Sequence, residues 1–264
     1  MVLVDRKCEI VHHSQVGPEI YVLGIDTEDV AKHALPGQFV MIGVRGKSVY
    51  DPLLRRPFSI AWTDHAKGTI FIFYRVVGRG TRLLSEYMPG TGLELLGPLG
   101  RGFSLEVFGG RVLVGGGLGI APIIFLYKWI KASGASATCI LGARTGDELL
   151  GVLKASDISL EDVIITTEDG SLGKKGLVTA PLAQWLNEIG GDATIQACGP
   201  APMLKAISNL SNHKVRLLEV SLESFMACGI GLCLGCAHKK RGDAEDYVHI
   251  CKDGPVFDAR DVVL

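Results

Sequence analysis

Four cysteines near the C-terminus constrain the fold of this chain more than any other feature. Three of them stand in a C-x4-C-x2-C arrangement and the last follows fourteen residues later; they are Cys228, Cys233, Cys236 and Cys251. Four thiolates bind one metal centre only if the chain brings them together, so this segment must fold back on itself. The spacing is that of the plant-type [2Fe–2S] ligand set. We therefore expect residues 221–264 to form a small cluster domain whose folding depends on metal ligation.

Zinc is the competing interpretation of the four thiols. Four thiolates also make a closed tetrahedral zinc site, but zinc modules usually contain two C-x2-C pairs and this segment has one. The glycines between the ligands allow positive φ angles and let backbone N–H groups face thiolate or sulfide. Iron–sulfur is favoured and zinc stays open. The other cysteines, Cys8, Cys139 and Cys198, lie in apolar strand-like segments and are predicted to be free packing residues.

The composition argues against several partners. The net charge is −1 among 264 residues, so no basic surface favours nucleic acid or an anionic membrane. No run of eighteen apolar residues occurs, and the first residues lack the pattern of an export signal. We expect a cytoplasmic protein that binds neither nucleic acid nor membranes.

The first hundred residues have the pattern of an all-β domain. Short β-type runs separated by turn residues occupy 8–13, 20–24, 38–43, 58–62, 69–77 and 93–96. Such regular spacing is typical of a small antiparallel β-barrel. We predict this barrel over residues 1–102.

The pattern changes to alternating strands and helices after residue 110. Predicted strands occupy 111–114, 137–141, 163–167, 194–198 and 215–220, and predicted helices 120–132, 147–153, 177–189 and 203–210. This alternation predicts a doubly wound parallel sheet with helices on both faces, an α/β domain over residues 103–220.

Two motifs on neighbouring barrel strands suit a flat cofactor with a phosphate tail. The first is Arg56, Pro57, Phe58 and Ser59, which offers a guanidinium fork, a ring and a hydroxyl. The second is Phe73, Tyr74 and Arg75, followed by Gly80 and Thr81. We predict Thr81 as the N-cap of a helix over 82–88, with N–H groups beside Gly80 facing a pyrophosphate. Each motif alone also fits an ordinary barrel strand or a capped helix.

A glycine turn opens the α/β domain and predicts a nucleotide site. The strand ends in Gly115, Gly116, Gly117 and Gly119, where small residues let phosphates approach the backbone. The strict dinucleotide fingerprint fails because Ile120 takes the third glycine position. A turn without a ligand is the alternative.

A second strand end adds to the nucleotide interpretation. The residues are Cys198, Gly199 and Pro200, which also fit a buried thiol before a proline-opened helix. The choice between NAD and NADP stays open. Arg144 suits a ribose 2′-phosphate, whereas Asp147, Glu148 and Asp169 suit a free ribose hydroxyl.

These motifs resemble those of the ferredoxin reductases. Residues 56–59 are similar to the R-x-[YF]-[ST] flavin motif, 78–81 to the pyrophosphate-side motif, and 115–122 to the G-G-G-x-G-x-A-P turn of that family. The resemblance implies FAD on the barrel, with Arg56 on the diphosphate and residues 58–59 and 73–75 around the isoalloxazine. It also implies a nicotinamide held beside Cys198.

Over its full length the chain resembles the electron-transfer subunits of dihydroorotate dehydrogenase B. The match includes the order of the three domains and residues 226–236, 167–173 and 248–257. It implies FAD, a [2Fe–2S] cluster and NAD in this chain, and a catalytic FMN-containing partner in a heterotetramer of two plus two. Electrons would run from dihydroorotate through partner FMN, cluster and FAD to NAD⁺, in pyrimidine biosynthesis. No residue is predicted to be catalytic, and none of the seven histidines, His213 included, is needed as a general base.

Two alternatives remain open. The small subunit of an NADH-dependent ferredoxin:NADP oxidoreductase, or a hydrogenase diaphorase subunit, shares all three modules. A non-enzymatic flavin or zinc module is the alternative from a different class.

Overall fold

The computed structural model describes residues 3–45, 51–106, 109–189, 192–211, 215–242 and 246–264, so His213 lies outside the described residues. Its strands are β1 (Val4–Gly17), β2 (Ile20–Asp26), β3 (Phe39–Gly43), β4 (Arg56–Asp64), β5 (Thr69–Arg75), β6 (Gly92–Leu99), β7 (Gly110–Gly116), β8 (Thr138–Ala143), β9 (Ile164–Thr167), β10 (Lys174–Lys175), β11 (Ala193–Cys198), β12 (Leu217–Ser221), β13 (Ala237–Lys239), β14 (Tyr247–His249) and β15 (Val256–Asp258). Its helices are α1 (Glu28–His33), α2 (Arg79–Ser85), α3 (Ile120–Ala132), α4 (Gly146–Ala155), α5 (Thr179–Ile189), α6 (Ala201–Ser211) and α7 (Ile250–Asp253). Across these ranges, no helix combines the length and the apolar character that crossing a bilayer requires.

The first six strands close into an antiparallel barrel in the order β1-β2-β5-β4-β3-β6. Every run predicted as β in this region overlaps one of these strands, so the barrel is confirmed. Alternate side chains such as Leu23 and Ile60 point inward and form the barrel core. β1 is longer than predicted because it pairs with β6 over residues 4–9 and with β2 over residues 9–17.

One prediction in the barrel is wrong. α2 covers Arg79–Ser85 rather than 82–88, and Gly78 precedes its first residue. Thr81 is therefore the third residue of the helix and not its N-cap. Its hydroxyl accepts hydrogen bonds from the backbone N–H groups of Val77 at 3.0 Å and Gly78 at 3.2 Å. The side chain of Thr81 thus stabilises the turn before the helix. The Gly-x-Gly-Thr pattern alone does not distinguish a threonine at this third helical position from an N-cap.

The second sheet confirms the doubly wound α/β prediction. Its strand order is β10-β9-β8-β7-β11-β12-β15, and all neighbours are parallel except β12 and β15. Side chains of α3 and α4 pack on one face, and those of α5 and α6 pack on the other. The chain runs from β7 outward through β8 and β9, then returns to β11 on the other side of β7. The carboxyl ends of β7 and β11 therefore border the crevice where such sheets bind ligands.

The tail returns to the sheet, which the sequence did not predict. β15 pairs antiparallel with β12, and the register sets Val220 against Phe257 and Ser221 against Val256. Between these strands, the described residues of the cysteine-rich segment add only the small β13-β14 hairpin and α7. Cys236 and Cys251 pack in the same buried cluster as Phe257 and the sheet residues. The tail therefore shares its core with the rest of the chain.

The packing of α4 on β1 generates a stability prediction for Gly151→Ala. Alanine in place of an exposed helical glycine would stabilise a helix by about 1 kcal/mol. Here a Cβ on Gly151 would overlap the backbone carbonyl of Val16 in β1. We expect the free energy of unfolding to fall by about 1–3 kcal/mol, as for other overpacked sites, in urea titrations followed by circular dichroism.

Gly92→Ala is the matched control, because the nearest atom to a Cβ there is 4.0 Å away. Its free energy of unfolding should change by less than about 0.5 kcal/mol. Equal stability of the two variants would contradict the tight contact between α4 and the barrel.

Candidate functional site

A cavity of about 380 Å³ opens between the barrel and the parallel sheet. The predicted flavin-site residues that line it are Arg56, Pro57, Phe58, Ser59, Phe73, Tyr74, Arg75 and Thr81. Gly80 lies directly behind this wall, because a Cβ on Gly80 would stand 2.7 Å from Nε of Arg56. Glycine at this position lets the guanidinium lie against α2. The predicted residues thus share one wall, in which apolar rings and guanidinium groups fit a ring cofactor with a phosphate tail.

Tyr74 is a rigid part of this wall. Its hydroxyl lies 2.8 Å from Nε2 of His13, whose Nδ1 lies 2.7 Å from the carbonyl oxygen of Tyr87. Nδ1 must donate to that carbonyl, so neutral His13 accepts a hydrogen bond from the Tyr74 hydroxyl at Nε2. Burial raises the pKa of Tyr74 and lowers the pKa of His13, which keeps both groups neutral. The ring of Tyr21 stacks on Tyr74 with 5.4 Å between centroids.

Arg75 joins the barrel to the parallel sheet. Its Nη1 donates to Oε1 of Glu148 at 2.9 Å, and Nε of Arg144 donates to the same oxygen at 3.1 Å. Glu148 lies in the first turn of α4 and is only 8% exposed. Its burial alone would raise the pKa of this carboxyl, but hydrogen bonds from Arg75 and Arg144 outweigh burial and lower it. One ionised carboxylate therefore bridges a residue of the flavin cavity and a residue beyond β8.

The two predicted nucleotide motifs meet at the carboxyl ends of β7 and β11, where the direction of the strand order reverses. Gly117 begins a short 3₁₀ turn with a φ of +57°, a conformation that favours glycine. A Cβ on Gly119 would lie 2.6 Å from the carbonyl of Cys198, so this turn packs directly against the end of β11. A Cβ on Gly116 would overlap the sulfur of Met203. The glycines therefore permit the close approach of β7, β11 and α6.

A second cavity, of about 360 Å³, lies beside this turn. Gly116, Gly117 and Pro200 line it, together with charged and polar residues at the ends of β8 and β9. Gly115, Gly119 and Gly199 instead support the wall through their packing. The cavity is continuous with the backbone of the glycine turn, as a bound pyrophosphate requires.

Cys198 lines neither cavity, although Ser221, its partner on the neighbouring strand, lines the flavin cavity. Cys198 is 2% exposed, and burial followed by the nearby charge of Glu223 raises the pKa of its thiol to about 12. The thiol is therefore neutral. Its predicted contact with nicotinamide remains a prediction.

Sequence reasoning missed one wall of the flavin cavity. This wall consists of Ser221, the last residue of β12, and of the residues that follow it, Leu222, Glu223, Ser224 and Met226. Burial raises the pKa of the Glu223 carboxyl. The position of this segment at the carboxyl end of a strand was the available signal, but only the tertiary contact between the sheet and the barrel makes it a cavity wall.

The cysteine-rich loop directs its backbone N–H groups at the thiols. The N–H of Gly231 lies 3.1 Å from Sγ of Cys251, and those of Ile230 and Cys233 each lie 3.4 Å from Sγ of Cys228. Gly231 has a φ of +80°, which lets the loop turn its N–H group inward. Burial opposes ionisation of Cys228, but donation from Cys233 and Ile230 outweighs it and lowers the pKa of the thiol to about 6. The loop therefore favours thiolate at Cys228, whereas burial raises the pKa of the Cys251 thiol to about 12.

The four thiols form two pairs. Cys236 and Cys251 are buried with their sulfurs 3.2 Å apart, while Cys228 and Cys233 interact near the surface. Within the described ranges, no three His, Cys, Asp or Glu side chains converge on one ion position. In a [2Fe–2S] cluster each iron takes two thiolates, so this paired arrangement fits two irons better than one tetrahedral zinc.

The three parts of the molecule now define a class. Residues 223–263 match the family described as the iron-sulfur cluster binding domain of dihydroorotate dehydrogenase B. The chain is 40% identical over 260 residues, 98% of either chain, to the dihydroorotate dehydrogenase B (NAD(+)) electron transfer subunit of Caldanaerobacter subterraneus subsp. tengcongensis. It superimposes with a TM-score of 0.82 and 32% identity on a chain in the structure of an NADH-dependent reduced ferredoxin-NADP oxidoreductase, over 97% of this chain and 89% of that one. A ferredoxin NADP⁺ reductase from Neisseria gonorrhoeae with bound FAD and NADP shares the fold, with a TM-score of 0.63 and 17% identity over 78% of this chain and 89% of that one.

Barrel, parallel sheet and cysteine-rich tail together make this an electron-transfer protein with a ferredoxin-reductase-type fold. The chain belongs to the family of dihydroorotate dehydrogenase B electron transfer subunits. The resemblance found in the sequence is therefore confirmed.

The position of Arg56 generates a prediction about cofactor binding. Arg56→Ala removes a guanidinium from the wall of the flavin cavity, and hydrogen bonds to charged groups contribute about 1.5–3 kcal/mol. We expect the dissociation constant for FAD to rise at least about tenfold, measured by quenching of flavin fluorescence on titration into apoprotein.

Arg82→Ala is the control, because Arg82 is exposed on α2 and does not line the cavity. It should bind FAD as the parent chain does. Unchanged affinity in the Arg56 variant would remove this residue from the phosphate site.

Proposed function

We propose that this chain carries electrons between NAD and a partner subunit that oxidises dihydroorotate to orotate, in pyrimidine biosynthesis. The observation that carries the proposal is the continuity of the flavin cavity with the cysteine loop. Met226 lines the cavity and stands two residues before Cys228. A Cβ on Gly229 would lie 2.5 Å from Cγ of Met41 in β3, so the loop also packs on the barrel.

In this proposal FAD occupies the cavity beside the barrel, and NAD occupies the cavity beside the glycine turn. The four thiols bind a [2Fe–2S] cluster. When bound, these groups supply two-electron exchange at nicotinamide, one-electron exchange at the cluster, and conversion between the two at flavin. The protein then has to bind and position them. The units are residues 1–102 for FAD, 103–220 for NAD and 221–264 for the cluster.

Each predicted residue has a positioning task. Arg56 holds the flavin diphosphate, while the side chains of residues 57–59 and 73–75 form the wall against the ring system. The glycine turn at 115–119 lets the NAD pyrophosphate approach the backbone, and Pro200, supported from behind by Cys198 and Gly199, borders the nicotinamide. Cys228, Cys233, Cys236 and Cys251 ligate the irons in the two pairs described above. We assign no general acid or base to this chain, because dihydroorotate oxidation belongs to the partner.

The partner surface is proposed to surround the exposed half of the cysteine loop. Phe225 is 97% exposed, Leu232 77% and Leu234 57%, and all three belong to the segment 225–234 that contains the exposed Cys233. Apolar side chains of this size on a surface are typical of a protein–protein contact. We propose that an FMN-containing catalytic subunit binds here, as part of a cytoplasmic heterotetramer of two plus two.

A second candidate is the small subunit of an NADH-dependent ferredoxin:NADP oxidoreductase. The TM-score of 0.82 with a chain of such an enzyme supports it. The identity of 40% to an electron transfer subunit of dihydroorotate dehydrogenase B, against 32% to that chain, favours the first proposal. Affinity purification of the chain from its own cells, with mass spectrometry of the bound subunit, separates the two. A dihydroorotate-oxidising FMN protein supports the first, and a ferredoxin-linked subunit supports the second.

Metal content tests the third alternative, a flavin or zinc scaffold. Anaerobically purified protein should contain about two irons and two acid-labile sulfides per chain. Folded protein with stoichiometric zinc and neither iron nor sulfide would contradict the electron-transfer proposal.

The exposed ligand gives a functional prediction. Cys233→Ser should abolish reduction of partner FMN by NADH, because the cluster loses a thiolate ligand. Bleaching of the FAD absorption by NADH in the same variant should stay largely intact, since the flavin and nucleotide cavities do not include Cys233. Stopped-flow absorption measures both steps.

Cys8→Ala serves as the comparison, because this buried thiol lies in the barrel core and away from the cysteine loop. It should retain both steps. Unimpaired FMN reduction in the Cys233 variant would refute the proposed route through the four thiols.

A further inference from the structure

The rim of the nucleotide cavity has three charged residues, Arg144, Glu148 and Glu168. Arg144 directly follows β8 and Glu168 directly follows β9, and these parallel strands align Ala143 with Thr167. The N–H of Glu168 donates to the carbonyl of Ala143 at 3.1 Å, which keeps the two strand ends adjacent. One cation and two carboxylates therefore stand together at the carboxyl edge of the sheet.

The guanidinium of Arg144 already pairs with a carboxylate of the protein. Its Nε and Nη2 both donate to Oε1 of Glu148, which is 8% exposed. The hydrogen bond with Glu148 raises the pKa of Arg144, and the charge of Glu168 acts in the same direction. A phosphate would have to compete with a buried carboxylate for this guanidinium. Glu148 cannot turn away freely, because it also holds Arg75 of the barrel.

The carboxylate of Glu168 is differently placed. It is exposed, lines the cavity, and accepts no hydrogen bond from the residues that the structure describes. An ionised carboxylate only accepts hydrogen bonds, so it suits the hydroxyl groups of a ribose and repels a phosphate ester. The other acidic candidates do not compete. Asp169 accepts from Ser171 at 2.7 Å, and Asp147 does not line the cavity.

We propose that Glu168 selects NAD over NADP by accepting the adenosine ribose hydroxyls, while Glu148 restrains Arg144 from attracting a 2′-phosphate. The inference rests on the nucleotide site of the proposed function and names the residues that set its specificity. The sequence left this choice open because Arg144 and the acidic residues appear equivalent until their partners are known. The choice between NAD and NADP then depends on residues that follow β8 and β9 and on a residue of α4, not on a single fingerprint residue.

The test compares two ligands that differ only by the phosphate, ADP-ribose and 2′-phospho-ADP-ribose. Binding is measured by titration calorimetry on the full chain purified with its cofactors. The parent chain should prefer ADP-ribose. In Glu168→Gln this preference should fall by about tenfold, because a like-charge repulsion and a ribose acceptor are weakened together. Glu168→Asp should keep the preference, since it keeps the carboxylate.

Asp147→Asn is the matched control, because it removes one negative charge from the exposed surface near the same cavity. It should leave the preference unchanged. A parent chain that prefers the 2′-phosphate, an unchanged ratio in Glu168→Gln, or an equal loss in Asp147→Asn would each overturn the assignment of Glu168. Failure of the parent chain to bind either ligand would overturn the nucleotide site itself, and with it that part of the proposed function.

Discussion

The pairing of β15 with β12 is the constraint on which the arrangement of the sites depends. Ser221 faces Val256 in this pair, and the N–H of Leu222 donates to the carbonyl of Pro255 at 2.9 Å. Residues 222–255 therefore leave the sheet and return to it at one place. Ser221 and Pro255 both line the flavin cavity. All four clustered thiols belong to this loop, whose two ends line the cavity.

A second interaction couples the barrel to the sheet. Glu148 is almost buried and binds Arg75 from the barrel and Arg144 from the sheet edge. Without Arg75, the carboxylate would keep its pairing with the exposed Arg144 but would lose part of the compensation for its burial. The carboxylate thus fixes the position of α4 relative to the flavin cavity and also sets the charge at the nucleotide rim. The two cavities therefore share one electrostatic element.

Much of the fold could be predicted because its patterns are local. The six barrel strands follow from alternating apolar residues, and α3 begins and ends where its sequence predicts, at Ile120 and Ala132. The error in the predicted bounds of α2 has a local cause as well, since a threonine after a glycine fits both an N-cap and the first turn of a helix. β15 left no such signal, because a three-residue strand is defined by its partner and not by its own residues.

The sequence by itself determined the chemistry of the molecule: four thiols in a glycine-rich loop, a guanidinium and rings on barrel strands, and a glycine turn after a parallel strand. These features are local because ligand type and backbone freedom belong to individual residues and their spacing. Only the tertiary structure decided that the thiols form two pairs, that the segment after β12 lines the flavin cavity, and that Arg144 is held by Glu148. Such facts depend on contacts between segments far apart in the chain, which no local pattern encodes.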